Sequence, residues 1–140
     1  MKIDVSATGL NDLVAHLDEV PDGAHRNLVK ATEFSANGIK KSARRRSSGI
    51  AHAPLYPYTI TYDIDDRGVG DGVSAEIGPD PEMTIGGGPF RTPGRLDNIL
   101  EFGSPNSAPI PHLYPSLDEW APDWEKGLGK AAADALEGRT

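Results

Sequence analysis

The chain has 140 residues, with 14 basic and 21 acidic side chains, and its formal net charge is −7. This acidic balance argues against a general nucleic-acid coat and against a protein that binds anionic membranes. Cysteine is absent, which excludes a disulfide framework, a thiolate zinc site and a thiol nucleophile. No apolar run has the length of a membrane span, and none stands at the start, so we expect no signal peptide.

Length and composition predict one loop-rich domain over residues 1–140, because 16 Gly and 12 Pro make one residue in five. The first predicted element is an amphipathic helix over 8–19. Its apolar residues recur at helical spacing: Leu10, Leu13, Val14 and Leu17.

A second, longer helix is predicted from Asp22 to Ser47. Small and hydroxylated residues dominate its inward stripe, which indicates close packing with modest apolar area. The stripe consists of Ala24, Leu28, Ala31, Thr32, Ser35, Ile39 and Ala43.

The hydrophobic period then changes from helical to alternating, which predicts a β-hairpin with strands over 58–64 and 73–77. A third strand is expected at Asn98–Phe102. Helices and strands do not alternate singly, so the order favours an α+β domain: two N-terminal helices, a small antiparallel three-stranded sheet and a C-terminal helix.

A long Gly/Pro stretch separates the hairpin from the expected third strand, and we expect a flexible loop over 79–94. The C-terminal helix is predicted to open with a capping box formed by Ser116 and Glu119. Pro122 is expected to kink or divide this helix, and residues 136–140 to fray.

Catalytic and metal-binding patterns are absent from the sequence. The four histidines, His16, His25, His52 and His112, form no ligand pair. Arg67 breaks the calcium-loop spacing of the aspartates near the hairpin turn. The glycines at 86–88 lack the lysine and helix start of a phosphate loop. We therefore expect no catalytic, cofactor-binding or metal-binding residues, and no enzyme.

Five cations fall within seven positions at the end of the second helix: Lys40, Lys41, Arg44, Arg45 and Arg46. Three interpretations remain open. The run is a solvated helix end that favours the helix dipole, a contact with an acidic neighbouring subunit, or a contact with nucleic-acid phosphate.

Apolar residues in the Pro-rich connectors are candidates for exposure, namely Phe90, Ile110, Leu113 and Tyr114. Trp120 and Trp124 share one face of the last helix, where packing on the sheet is the default expectation. Exposed apolar residues beside long loops favour a protein that works through interfaces.

Two short elements resemble a known family. Glu101-Phe102-Gly103-Ser104 matches an E-[FY]-G-[TS] element. Pro111–Leu117 (PHLYPSL), preceded by Pro109 and Ile110, matches the P-x-P-[FH]-[LM]-x-P-[AS]-L element that opens a C-terminal helix. In order and spacing they resemble the tail-completion, or head–tail joining, proteins of long-tailed bacteriophages.

This resemblance implies a structural virion protein without catalysis, assembled in the bacterial host cytoplasm. It would form a ring, expected to contain six subunits, between the tail terminator or tail tube and the head-completion or portal-adaptor protein. Genomic DNA would pass through the lumen. The basic run would touch the next subunit or line that lumen. The candidate partner-contact and motif residues are Phe90, Glu101, Phe102, Gly103, Pro111, Leu113 and Pro115.

Alternatives stay open at this point. Within the neck, the chain could be a tail terminator or another ring protein. A small DNA-binding module would use the basic residues 40–46 on phosphates, with strongly salt-dependent affinity. A hydrolase would need His52 or His112 beside a carboxylate in a pocket.

Overall fold

A computed structural model describes residues 3–6, 21–51, 53–69, 71–85 and 91–137. These residues form an antiparallel sheet and helices, as the α+β prediction requires. The elements are β1 (Ile3–Ser6), α1 (Pro21–Arg46), β2 (Ile60–Asp66), β3 (Val73–Pro79), α2 (Asp97–Phe102) and α3 (Leu113–Leu136), with short 3₁₀ turns at Tyr56–Thr59 and Pro93–Leu96.

The predicted hairpin is confirmed, with β2 and β3 paired antiparallel from Ile60 opposite Pro79 to Asp66 opposite Val73. The third strand of the sheet is β1, which pairs with the other side of β3, so the order is β1–β3–β2. Ile60, Ala75 and Ile77 are fully buried, whereas Asp63 and Glu76 are exposed. One sheet face therefore carries the core and the other faces solvent.

Helix α1 lies against β2 and β3, and α3 packs along α1. The predicted stripe of α1 is buried except for Ala31, which is half-buried. Gly38 in this helix faces the indole of Trp120, where a Cβ would overlap the ring. The small residues of α1 thus allow two large aromatic groups, Trp120 and Tyr56, to fill the space beside it.

The strand predicted at Asn98–Phe102 is wrong, because these residues form helix α2. Asp97, Leu100 and Glu101 are buried whereas Ile99 and Phe102 are exposed. Burial recurs every three to four residues, which is the period of a helix and not of a strand.

The loop predicted over 79–94 is shorter at both ends, because Pro79 is the last residue of β3 and Pro93 begins a 3₁₀ turn. Its two arms are joined: the Ile85 N–H donates to the Arg91 carbonyl at 2.8 Å, and Arg95 pairs with Glu82 at 3.0 Å. The predicted helix over 8–19 lies outside the described residues.

Helix α3 begins three residues before the predicted start and continues to Leu136. Pro122 lies inside it and does not divide it. Trp120 and Trp124 are half-buried, and both pack against the core that contains Tyr56 and Ile60. Trp124 also packs against a second group of buried residues that contains Leu28 and Leu128. The predicted frayed end overlaps residues 138–140, which are outside the described part of the chain.

Candidate functional site

The carboxylate of Glu101 joins the two elements that carry the family resemblance. Glu101 is buried on α2, and its Oε2 accepts the backbone N–H groups of His112 and Leu113 at 2.8 and 3.0 Å. Its Oε1 accepts the N–H of Tyr114 at 3.0 Å. One side chain from the first element thus caps the helix that the second element opens.

This cap accounts for the whole first turn of α3. The first four N–H groups of a helix have no partner within the helix. Here the first three belong to His112, Leu113 and Tyr114, and the fourth position is Pro115, which has no N–H. The negative carboxylate also lies at the positive end of the helix dipole, which is a favourable arrangement.

The predicted capping box is wrong. The hydroxyl of Ser116 donates to the His112 carbonyl inside the first turn of α3. Glu119 lies on α3 and contacts the end of α1 instead. The cap comes from a residue distant in sequence, which local spacing does not reveal.

His112 extends the buried arrangement. Its Nδ1 lies 3.0 Å from both the Ile110 carbonyl and Glu101 Oε2, and its Nε2 lies 2.6 Å from the Tyr56 hydroxyl. Because both groups near Nδ1 are acceptors, we assign the ring proton to Nδ1, so that Nε2 accepts from Tyr56. Burial lowers the pKa of His112, which favours this neutral form, against the opposing effects of Ile110 and Glu101. Burial, and then Glu101, raises the pKa of Tyr56.

Gly103 makes the turn between α2 and the returning chain. Its φ is +78°, and a Cβ there would lie 2.9 Å from the Ser107 oxygen and the Pro109 nitrogen. The return is held by a bridge between Ser104 and Ser107 and by the Ile110 N–H, which donates to the Leu100 carbonyl at 2.6 Å. A side chain at Gly103 would therefore meet backbone as well as an unfavourable φ.

We call residues 97–117 together with Tyr56 the motif unit. Of its predicted contact residues, Glu101 and Leu113 are buried and serve the interior, so the expected exposure of Leu113 is wrong. Phe102 is 61% exposed and its ring lies 6.1 Å from that of Tyr114, which is also exposed as predicted. Pro111 is exposed, and Pro115 and Ile110 are half-buried. Phe90 lies outside the described residues.

The basic run at the end of α1 is largely engaged within the chain. The guanidinium of Arg44 donates from two nitrogens to the Ile60 carbonyl, at 3.0 and 2.8 Å, and so fixes α1 to the start of β2. The ammonium of Lys40 lies 5.2 Å from the centre of the Tyr62 ring. Partial burial, then Arg44 and Lys41, lowers the pKa of Lys40. Lys41 is exposed.

Arg45 and Arg46 meet Glu119 of α3, at 3.3 and 2.9 Å. The Ser42 hydroxyl donates to the same carboxylate at 2.6 Å. The Ser42 hydrogen bond, followed by that of Arg46, lowers the pKa of Glu119 to about 2. We call Gly38, Ser42, Arg45, Arg46, Glu119 and Trp120 the helix-crossing cluster, because they lie where α3 meets the end of α1.

The histidine and carboxylate that a hydrolase would need are brought together, but they do not form an accessible pair. The side chain of His112 is fully buried, and both its nitrogens have partners. Glu101 is equally enclosed and is used by three backbone N–H groups. Their arrangement holds a helix end in place and offers no opening for a substrate. His52 lies outside the described residues.

Sequence reasoning missed the roles of Tyr56, His112 and Glu119, since each acts on a segment distant in sequence. For Glu101 the sequence did contain a signal. A carboxylate precedes the start of α3, and Pro115 stands where that helix would otherwise have its fourth free N–H group. Among the described residues, no group of three or more His, Cys, Asp or Glu could hold a metal ion.

Comparison of the chain with protein-family models, with curated proteins and with solved structures finds no match. Within the described ranges, no helix combines the length and the apolar character that crossing a membrane requires.

Proposed function

We propose that this chain is a structural virion protein of a long-tailed bacteriophage. In this role it forms a ring at the head–tail junction, where it joins the tail terminator or tail tube to the head-completion or portal-adaptor protein. The ring surrounds the path of the genomic DNA. The proposal rests on the resemblance of Glu101–Ser104 and Pro111–Leu117 to head–tail joining proteins.

The observation that carries the proposal is the cap that Glu101 places on α3. Two short sequence matches can arise independently by chance. Here the first supplies the carboxylate and the turn glycine, and the second supplies the three N–H donors and the proline. The elements therefore depend on each other physically, which supports reading them as one motif.

The contacts that the basic residues make within the chain count against the DNA-binding alternative. Arg45 and Arg46 share the one negative charge of Glu119, and Arg44 donates two hydrogen bonds to the neutral Ile60 carbonyl, so some donors of this run are already in use. Binding phosphate would have to compete with these contacts on a chain whose net charge is −7. The geometry therefore favours the structural role over a DNA-binding module.

The test is to inactivate the gene for this chain in the phage that carries it, and to examine the particles by electron microscopy. We expect unattached heads and tails, rescue by the wild-type chain, and antibody label at the neck of joined particles. Fully joined particles without the chain, or label elsewhere on the particle, would contradict the proposal. Label at the neck together with normal joining would assign a different neck role.

A further inference from the structure

Two exposed apolar features stand apart on the molecule. The first, which we call the apolar knob, consists of Ile99 and Phe102 on α2 and Tyr114 on α3. Ile99 and Phe102 are three residues apart on one helix face, and the rings of Phe102 and Tyr114 adjoin. Single exposed apolar residues are ordinary on protein surfaces, whereas a cluster indicates an interaction site.

The second feature is a groove between α1 and α3 with a volume of about 490 Å³. Its apolar lining includes Ala31 and Phe34 of α1 and Gly127 and Ala131 of α3. The ring of Phe34 is 69% exposed, although its edge meets Trp120 at a centroid distance of 5.9 Å. The groove is wide and open to solvent, so it is suited to seating a protruding side chain and does not enclose one.

The charges around the two features are complementary. Three lysines line the groove against two aspartates, Asp123 and Asp134, and one lysine, Lys130, pairs with Asp134. No ion pair joins Lys30 or Lys126 to another residue in the described part of the chain. The knob instead has exposed Asp118 one helical turn beyond Tyr114.

A molecule cannot fill its own groove with its own knob. Tyr114 and Gly127 lie thirteen residues apart on α3, and a helix rises 1.5 Å per residue, so they are about 20 Å apart along the helix. The knob is fixed at the start of α3 by the Glu101 cap, which excludes a large movement towards the groove.

We infer that the apolar knob of one copy docks in the α1–α3 groove of a second copy. The contact joins two different surfaces of the same chain, so its repetition generates a ring or an open filament. Since ring closure is part of the proposed function, the inference rests on that proposal and specifies which surfaces meet.

Engineered cysteines test this contact directly, because the natural chain has none. Asn98→Cys places a thiol beside the knob, and Asp123→Cys places one on the groove rim without removing a lysine; both positions are exposed. The two purified variants are mixed under mild oxidation. We expect at least tenfold more cross-linked dimer in the mixture than in either variant alone, and a ladder of multimers from the double variant.

Asp63→Cys on the open sheet face provides the matched control, and its mixture with Asp123→Cys should give only background cross-linking. Phe102→Ser in the Asn98→Cys background should weaken association by about thirtyfold or more, the effect typical of a central aromatic anchor. Tyr58→Ser should change little, although Tyr58 is 62% exposed, almost the same fraction as Phe102.

Cross-linking of the mixture at the control level, even at several hundred micromolar protein, would overturn the inference. So would equal cross-linking of either single variant with itself, because that result indicates a symmetric pair. If the chain is found at the phage neck without knob–groove cross-links, only this inference fails. If the cross-links form but the chain is absent from particles, the contact stands and the proposed function fails.

Discussion

Two glutamates organise helix α3, and their surroundings differ in almost every respect. Glu101 is buried in the motif unit and accepts three backbone N–H groups. Glu119 lies in the helix-crossing cluster, where its side chain is 40% exposed and accepts from Ser42, Arg45 and Arg46. Both carboxylates are well supplied with donors, so the number of contacts does not distinguish them.

Burial distinguishes them instead. Removing the partner of buried donors leaves polar groups that water cannot reach, and the cost is several kcal/mol. At an exposed carboxylate, water replaces the lost partners and salt already screens the charges, so little stability is lost. Substitutions in the motif unit should therefore lower the free energy of unfolding more than substitutions in the helix-crossing cluster do.

The largest expected effect is that of Glu101→Ala. It leaves the N–H groups of His112, Leu113 and Tyr114 without an acceptor, and we expect a loss of about 3–5 kcal/mol in the free energy of unfolding. Urea denaturation followed by circular dichroism measures it. Glu125→Ala, an exposed position on α3, is the control and should stay within about 0.5 kcal/mol. Equal effects of the two substitutions would contradict the role of the cap.

The turn of the motif unit is tested by Gly103→Ala against Gly49→Ala. The two glycines have φ values of +78° and +79°, but only Gly103 has backbone atoms where a Cβ would lie. We expect a loss of about 3 kcal/mol at Gly103, from strain and crowding, and about 1 kcal/mol at Gly49, from strain alone. Similar losses at both sites would show that crowding contributes nothing.

Gly38 of the helix-crossing cluster is compared with Gly129, which lies on α3 outside that cluster. Gly38→Ala forces a methyl group into the Trp120 indole, and we expect a net loss of about 1–2 kcal/mol despite the better helix propensity of alanine. Gly129→Ala has open space around it in α3 and should stabilise by about 0.5–1 kcal/mol. Thermal unfolding of both variants measures the opposite signs, and stabilisation by Gly38→Ala would refute the packing of Trp120 on α1.

The smallest effect is expected for Glu119→Gln. The pKa of Glu119 is about 2 in the folded chain, below its ordinary value of 4.5. Its contribution is therefore complete above pH 4.5 and is lost as the pH falls towards 2. Urea midpoints at pH 7 and pH 3 should differ less in Glu119→Gln than in the wild type. An unchanged pH difference would exclude Glu119 as the source, and a loss as large as that of Glu101→Ala would contradict the comparison.

Periodicity was sufficient to predict α1 and the hairpin. The stripe from Ala24 to Ala43 repeats at helical spacing over many turns, and Ile60, Tyr62 and Ile64 alternate with polar residues. Tyr58, predicted to begin the strand, lies instead in the preceding 3₁₀ turn and is exposed. Both patterns record burial against one neighbouring surface, which is a local property of the sequence. The short segment Asn98–Phe102 was misassigned because five residues do not separate the two periods.

The candidate site was only partly predictable. Its residues were found through the family resemblance, but the resemblance only placed Glu101 and Leu113 among the candidate partner-contact and motif residues and gave them no role in the interior. In the structure they serve the interior, since the chain between them folds back at Gly103 and returns the α3 start to α2. Likewise, the charges of Arg45 and Arg46 could not be paired from sequence, because Glu119 approaches them only when α3 packs on α1.

Amide hydrogen exchange at His112, Leu113 and Tyr114 tests the central claim most directly. Donors in the first turn of a helix ordinarily face water and exchange quickly. If Glu101 caps α3 as described, these three amides should be protected to nearly the same degree as the core of α3, and Glu101→Ala should abolish that protection. Rapid exchange of the three amides in the wild-type chain would contradict the account.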